Sequence, residues 1–151
     1  MDKSKKIELY QKVLEELKQK LKDPASIDEK MDFIASHLYR SIPYFFWAGF
    51  YFPGEDKLTL GPCAGPPACK TISYAGVCGR AVRTKTAVVV ENVHNFEGHI
   101  ACDPRSNSEI VVPLFDKDGN IYAVFDVDST EFGAFDPVDA EFLEKILKNL
   151  K

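Results

Sequence analysis

The stretch that decides the fold is EIVVPLFDKDGNIYAVFDVD, residues 109–128. Residues 109–115 and 120–128 are rich in β-branched and aromatic side chains, which favour strands. Asp118-Gly119 lies between these runs and is the strongest short-range hairpin signal in the chain. We therefore predict two antiparallel strands joined by a tight turn, with the other elements arranged around this hairpin.

The N-terminal part of the chain predicts two helices ahead of the sheet. Apolar residues recur at three- and four-residue spacing over residues 7–21, and Pro24 follows the end of that pattern. Ser26 and Glu29 have the spacing of a capping box, and the second apolar face continues until Pro43.

Further strand and helix signals lie on both sides of the hairpin. Aromatic or β-branched runs and one small-residue helical segment occur upstream, at residues 44–52, 58–62, 69–73, 75–85 and 87–93. Downstream, Asp136 as N-cap and Pro137 at the first helical position open a closing helix. The order ααβββαβββα, with short turns between strands, predicts an α+β fold with helices packed on an antiparallel six-stranded sheet.

Length and composition predict one domain. The chain has 151 residues, 45% of them hydrophobic and 28% charged, as in an average globular protein. We expect a single domain over residues 1–151, with N-terminal helices at about 5–41, a sheet region at about 44–130 and a C-terminal helix at about 137–150.

Charge and hydropathy exclude several classes of function. The net charge of −4 argues against a protein that neutralises nucleic-acid phosphates. The first ten residues carry no apolar run, so we expect no secretory signal and a cytoplasmic protein. The longest apolar run, residues 44–52, is too short to span a bilayer.

All four cysteines of the chain fall between residues 63 and 102, at Cys63, Cys69, Cys78 and Cys102. In a reducing compartment, such clustering more often indicates redox chemistry or metal binding than structural disulfides. The cysteines are therefore the first candidates for function.

Cys102 lies in the longest segment without regular periodicity, residues 94–108. Long irregular loops in small domains are usually functional or disordered. His99 and Arg105 would lower the pKa of the Cys102 thiol if the loop folds them inward. The alternative is that Cys102 serves as a small apolar packing residue.

The other cysteines supply candidates for a second, resolving thiol. Gly76 and Gly79 flank Cys78 and would let another backbone or loop come close, so Cys78 could lie under the Cys102 loop. A second thiol near a sulfenic acid converts it to a disulfide. Cys69 is another candidate. Cys63 has the same potential, and the alternative is that it is a thiol on a Pro-Gly turn with no role.

A zinc site is the competing interpretation of the same residues. His94, His99 and Cys102 offer donors, and Cys69 or Cys78 would complete a tetrahedron. Structural zinc sites usually pair their ligands at close spacing, and this chain has no close cysteine pair. We predict no metal on this ground.

Three carboxylates and two aromatic side chains are candidates for a binding pocket. Asp126 and Asp128 are two residues apart and leave their strand on one face, and Glu109 begins the neighbouring strand. Converging carboxylates raise one another's pKa or bind a cationic group such as an ammonium. Trp47 and Tyr51 share a strand face and would wall the pocket; the alternatives are a solvent-exposed edge and simple core packing.

Four motifs, taken in order, resemble the GAF-domain family of free methionine-(R)-sulfoxide reductases. They are GPCAGPPACKTI (61–72), GVCGRAV (76–82), GHIACDPRSNSEIVVPL (98–114) and DVDS (126–129). GHIACD followed by SNSEIV is specific to that family, whereas a GAF fold alone also occurs in ligand-sensing modules. The sequence departs from the family pattern at Cys63 and by one residue fewer between Cys69 and Cys78.

The resemblance implies a GAF-like sheet and reduction of the free amino acid methionine (R)-sulfoxide, not of residues within proteins. It implies Cys102 as nucleophile and either Cys69 or Cys78 as resolving thiol. It also implies a substrate pocket formed by Trp47, Tyr51, Glu109, Asp126 and Asp128. In that pocket, the carboxylates would hold the substrate ammonium and protonate the sulfoxide oxygen.

The resemblance also implies how the enzyme is recycled. Thioredoxin would reduce the disulfide with electrons from NADPH through thioredoxin reductase, and no cofactor would be bound. A homodimer through the N-terminal helix is one implication, although an amphipathic helix can equally cover its own sheet. The alternative is that the chain is a GAF module that binds a small ligand and signals without catalysis. We expect a single stand-alone domain without an output domain, and this expectation argues against a signalling module.

Overall fold

The computed structural model describes residues 1–150, which form four α-helices around one six-stranded sheet. Lys151, the last residue of the predicted domain, lies outside the described residues. The elements are α1 (Lys3–Lys20), α2 (Ile27–Ser41), β1 (Trp47–Pro53), β2 (Lys57–Ala64), β3 (Thr71–Ser73), α3 (Val77–Thr84), β4 (Val88–Val90), β5 (Ser108–Phe115), β6 (Ile121–Ser129) and α4 (Pro137–Leu147). This order matches the predicted ααβββαβββα. The closing helix ends at Leu147 and continues as a 3₁₀ turn over Lys148–Leu150.

The predicted helix starts are confirmed. The Ser26 hydroxyl accepts a hydrogen bond from the Glu29 backbone N–H, and the Glu29 carboxylate accepts one from the Ser26 N–H. Asp136 caps α4 in the same reciprocal way with Asp139 as its partner, and Pro137 occupies the first helical position. These caps satisfy N–H groups that a helix cannot pair internally.

The sheet has the strand order β3-β2-β1-β6-β5-β4, with antiparallel pairing throughout. The hairpin predicted from the sequence is β5 and β6, which pair from Ser108↔Ser129 to Leu114↔Ala123. Gly119 in the turn has φ 83°, a conformation that suits glycine. The hairpin therefore forms the middle of the sheet, with β6 between β1 and β5.

Side chains alternate between the two faces of the sheet. Phe50, Phe125 and Val127 point to the face covered by α1, α2 and α4 and are fully buried in the main hydrophobic core. Trp47 and Val111 point to the other face, where a smaller apolar cluster forms beneath α3. The candidate site lies on this second face, so the large core supports it from behind.

Helix α1 is held to the same chain by apolar and polar contacts. Tyr10, Val13 and Leu17 are buried in the core. The Lys6 ammonium donates to the buried Asp139 carboxylate at 2.7 Å, and the Tyr10 hydroxyl donates to the other oxygen of that carboxylate at 2.7 Å. Because the apolar face of α1 covers its own sheet, the homodimer through this helix stays a prediction.

Among residues 1–150, no helix combines the length and apolar character that a bilayer crossing requires.

Candidate active site

The three carboxylates lie in two adjacent rows across the middle of the sheet. Asp128 on β6 is paired directly with Glu109 on β5 and with Trp47 on β1. Asp126 occupies the next row on the same face, opposite Gly49 and Val111. Asp126 and Glu109 are 5% and 6% exposed, so the alternative of a solvent-exposed edge for this group is wrong. Strand alternation and register together place the carboxylates side by side.

Two aromatic rings form the wall next to these carboxylates. Trp47 and Tyr51 have ring centroids 6.0 Å apart, and both side chains are buried. A Cβ added at Gly49 would lie 2.5 Å from the Trp47 ring, so glycine at this position leaves room for the indole to lie across the strand. The Tyr51 hydroxyl donates to the Cys69 carbonyl at 2.8 Å and ties the segment before β3 to the site.

The irregular loop packs over the start of α3. Gly98 has φ +87°, and a Cβ there would lie 2.5 Å from the Ala75 carbonyl oxygen. The side chain of Ile100 lies against Gly76, as the small residues of that segment predict. At Gly79 the close neighbour is another stretch of backbone, that of Tyr74, as a glycine there also predicts. Cys78 consequently lies beneath the loop at the base of the pocket.

Cys102 is joined by a disulfide to Cys69, with a Cα–Cα distance of 5.5 Å. Cys102 is exposed and Cys69 is half-buried, whereas Cys78 is a free, buried thiol. Cys63 is also free and lies on β2 opposite Gly49. Of the two candidate partners for Cys102, the structure therefore pairs Cys69 and leaves Cys78 reduced.

The charged residues of the loop have partners other than the Cys102 sulfur. The Arg105 guanidinium pairs with Asp103 at 2.7 Å and lies over the Phe46 ring at 4.8 Å. His99 faces the carboxylates, with Nε2 at 3.6 Å from Glu109 Oε1. Burial lowers the pKa of His99, and the neighbouring His94 lowers it further.

The zinc ligand set considered from the sequence is not gathered in one place. His94 Nε2 lies 2.8 Å from the Asn107 side-chain oxygen. The sulfurs of Cys69 and Cys102 are bonded to each other. The donors that the fold does bring together are different ones, namely Cys78, Glu109 and Asp126.

Burial dominates the proton affinities of the carboxylates. It raises the pKa of Asp126 to about 6, and interactions with Glu109 and Cys78 limit that rise. Burial also raises the pKa of Glu109 well above its usual value, and the charges of Asp126 and Asp128 raise it further. The pKa of Asp128 is raised by burial and then by the charges of Asp126 and Asp103. Asp126 is therefore the anionic centre of the group, and its charge keeps protons on the other two.

Cys78 responds to the same surroundings. Burial raises the pKa of its thiol well above the usual value, and the carboxylates of Asp126, Glu109 and Asp128 raise it further. Only the thiolate is a strong nucleophile. Cys78 is therefore held as a neutral thiol beside Asp126.

Two buried polar atoms of the site have no hydrogen-bond partner within residues 1–150. They are the indole nitrogen Nε1 of Trp47 and Oδ1 of Asp126. A buried polar atom without a partner costs about 1–3 kcal/mol, so native structures pair nearly all of them. Both residues line the pocket, so the site contains one unpaired donor and one unpaired anionic acceptor.

The pocket encloses about 600 Å³ of space, its open mouth included. Sequence reasoning identified its cysteines, carboxylates and aromatic pair but missed much of the wall. The missed lining residues are Phe46, Pro66, Pro67, Ala68, Ile72, Val77, Ile100, Asp103 and Ser106. The adjacent Pro66 and Pro67 were the available signal, because two prolines beside Cys69 stiffen the loop that carries it.

Comparisons with known proteins identify relatives of this chain. The family described as GAF domain matches residues 8–150 of the chain. Free methionine-R-sulfoxide reductase from Saccharomyces cerevisiae is 45% identical over 117 residues, covering 74% of this chain and 65% of the yeast protein. The Escherichia coli protein of the same name is 46% identical over 115 residues, covering 76% of this chain and 69% of its own length.

A solved structure extends the likeness to the whole fold. It is free methionine-R-sulfoxide reductase from Neisseria meningitidis in complex with its substrate, with a TM-score of 0.90 and 38% identity. The match covers 99% of this chain and 89% of the Neisseria chain.

The fold and the family match place this chain among the GAF domain proteins. Within that class, the chain belongs to the family of free methionine-(R)-sulfoxide reductases. The family resemblance recognised in the sequence motifs is thereby confirmed.

Proposed function

We propose that this chain reduces free L-methionine (R)-sulfoxide to L-methionine, with Cys102 as the nucleophile. The observation that carries the proposal is the Cys69–Cys102 disulfide, whose Cys102 lines the same pocket as Glu109, Asp126 and Asp128. Thiol reduction of a sulfoxide requires an acid and two thiols that can form a disulfide, and Cys102 and Cys69 are such a pair. The relatives described above carry this activity in their names.

The pocket suits a free amino acid better than a peptide residue. Asp126 is the anionic centre of the carboxylate group, and its Oδ1 has no partner within the described residues, so it is the acceptor for the substrate ammonium. Asp128 lies two residues beyond it on the same face and is the second carboxylate beside the ammonium. A methionine residue inside a protein has no ammonium at this position, and this difference would exclude it.

The remaining contacts orient the sulfoxide. Trp47 and Tyr51 form an apolar wall for the thioether methyl group. The unpaired Trp47 indole N–H would donate to a substrate oxygen. Glu109 retains its proton and is therefore our candidate for the acid that protonates the sulfoxide oxygen.

The reaction proceeds in two sulfur steps. The Cys102 thiolate attacks the sulfoxide sulfur while Glu109 donates a proton to the oxygen, and transfer of that oxygen to Cys102 releases methionine and leaves a sulfenic acid. The Cys69 thiol then attacks the Cys102 sulfur, which breaks the S–O bond and releases water. The balance is one sulfoxide and two thiols giving one thioether, one disulfide and one water.

The surroundings of the cysteines support Cys102 over Cys78 as the nucleophile. Cys102 is exposed at the mouth of the pocket, whereas Cys78 is 2% exposed and its thiol pKa is raised. Cys69, which is already bonded to Cys102, is our candidate for the resolving thiol. Cys78 keeps no redox role in this scheme.

Recycling requires an external thiol reductant. We assign this role to thioredoxin, supplied by NADPH through thioredoxin reductase, in a reducing cytoplasm, with no bound cofactor. The exposed Cys102 makes the disulfide accessible to an attacking dithiol.

We also propose that residues 1–151 act as one GAF domain, because α1 and α4 cover the same sheet that carries the site.

The test is stereochemical. Wild-type protein with a thioredoxin system should consume free L-methionine (R)-sulfoxide, but neither the (S)-epimer nor a peptide that contains methionine (R)-sulfoxide. Consumption of the peptide at a similar rate would contradict the assigned role of the ammonium. Tight binding of another small ligand without any turnover would favour the sensing alternative.

Substrate affinity should fall in acid. Asp126 has a pKa of about 6, so at pH 5 about one tenth of it is ionised and the dissociation constant for the sulfoxide should be about tenfold higher than at pH 7. Trp47 is the only tryptophan of the chain and lines the pocket, so its fluorescence in a Cys102→Ser variant reports binding without chemistry. Asp126→Asn should bind weakly at both pH values. A dissociation constant that is the same at pH 5 and pH 7 would disprove this role for Asp126.

A further inference from the structure

We propose that Cys78, Glu109 and Asp126 form a binding site for a thiophilic divalent cation such as Zn²⁺, and that the cation competes with the sulfoxide substrate. The cation-binding part of this proposal stands by itself. The competition part rests on the proposed function, because it requires the substrate to use Asp126 and Glu109.

The geometry brings three donors together from three elements. Cys78 lies on α3, Glu109 on β5 and Asp126 on β6, and one ligand atom from each lies within 4.8 Å of the others. With Zn–S of about 2.3 Å and Zn–O of about 2.0–2.2 Å, tetrahedral ligand atoms lie about 3.3–3.6 Å apart. Side-chain rotations that shorten the longest separations by about 1.2–1.5 Å would therefore close the site around one ion.

The cluster is also buried, and one of its carboxylate oxygens has no partner. The three side chains are 2%, 6% and 5% exposed, and Asp126 Oδ1 has no hydrogen-bond partner within residues 1–150. His99 is the basic side chain that approaches them, at 3.6 Å from Glu109. Buried carboxylates are normally paired or bound to a metal, so this arrangement favours a cation.

The donor set selects the kind of metal. A thiolate sulfur beside two carboxylates suits Zn²⁺ or Cd²⁺ better than Mg²⁺ or Ca²⁺, which prefer oxygen alone. Metal binding displaces the Cys78 thiol proton into solvent. Because Cys78 is outside the Cys69–Cys102 disulfide, the site exists while that disulfide is formed.

The proposed consequence is inhibition. A bound ion would occupy Asp126, the ammonium acceptor, and would remove the proton of Glu109. Metal and sulfoxide could then not bind together, and each should raise the apparent dissociation constant of the other.

Cadmium titration of the oxidised protein tests the site, because Cys63 and Cys78 are then its free thiols. Cd²⁺ should produce an ultraviolet sulfur-to-cadmium charge-transfer band at one ion per chain. Cys78→Ser should abolish the band, and the matched Cys63→Ser should keep it. The near-isosteric Glu109→Gln and Asp126→Asn should each weaken cadmium binding at least about tenfold, which keeps the test decisive if Cys78→Ser does not fold.

Two outcomes would overturn the proposal. One is a band that survives Cys78→Ser and disappears in Cys63→Ser, and the other is cadmium affinity unchanged by both carboxylate variants. Methionine sulfoxide added to the wild-type cadmium complex should displace the ion. If methionine sulfoxide does not displace cadmium although the Cys78-dependent band is present, only the competition between metal and substrate is refuted. If the protein has no reductase activity although that band is present, the proposed function is refuted and the metal site is not.

Discussion

Replacing Cys102 by serine should lower kcat on free methionine (R)-sulfoxide by at least about 10³-fold, because a serine hydroxyl at neutral pH is a far weaker nucleophile than a thiolate. The fold should not change, since Cys102 is exposed and lies in the loop before β5. The measurement is methionine release under saturating reductant. Near-wild-type turnover would refute the assignment and would make Cys78 the next candidate.

Two matched cysteine variants sharpen this result. Cys63→Ser should turn over like the wild type, because Cys63 on β2 is outside both the disulfide and the pocket lining. Cys69→Ser should release one methionine per chain and then stop, with a sulfenic acid trapped on Cys102, because the resolving sulfur is gone. Sustained turnover by Cys69→Ser with a disulfide between Cys78 and Cys102 would transfer the resolving role to Cys78.

Glu109→Gln should lower kcat by about 10²–10⁴-fold, the usual contribution of a general acid. The amide keeps the size of the side chain but donates no proton to the sulfoxide oxygen. Glu141→Gln on α4 is the matched control, since that carboxylate is exposed and pairs with Lys145. If Glu109→Gln retained wild-type kcat, the acid would have to be Asp128, whose pKa is also raised.

The same variant should be more stable than the wild type at neutral pH. The pKa of Glu109 is raised in the folded protein, so between its unfolded value of about 4.3 and its folded value the native state binds more protons than the unfolded state. The wild-type free energy of unfolding therefore falls as pH rises through that window. Glu109→Gln removes this loss, so urea unfolding should show a gain near pH 7 that vanishes near pH 4. A gain of equal size at both pH values would show that packing, not charge, is responsible.

The elements of this fold were predictable because their signals are local. Asp118-Gly119 between two β-branched runs predicts the β5–β6 hairpin, and the capping box at Ser26 predicts the start of α2. Strand alternation alone places Asp126 and Asp128 on one face. Each of these signals operates within a few residues of chain, so no long-range contact is needed to read it.

The sequence predicted which residues form the site, but not how those residues are arranged in space. The motifs around Cys69, Cys78 and Cys102 predicted three candidate thiols but left the partner of Cys102 open. Arg105 was a candidate for lowering the Cys102 pKa, and the structure instead pairs it with Asp103. These outcomes depend on how a loop of irregular backbone packs on α3, which periodicity does not encode.

By itself, the sequence determined the order of helices and strands, the family and the side chains available for chemistry, because these follow from local patterns and motifs. Only the tertiary structure decided that Cys69 is bonded to Cys102 and that Cys78 lies among buried carboxylates. It also decided which pKa values change. The pKa of Glu109 depends on burial and on the charges of Asp126 and Asp128, and the pKa of Asp126 depends on burial and on hydrogen bonds with Glu109 and Cys78. The physical reason is that desolvation and charge coupling act through space, between residues far apart in the chain.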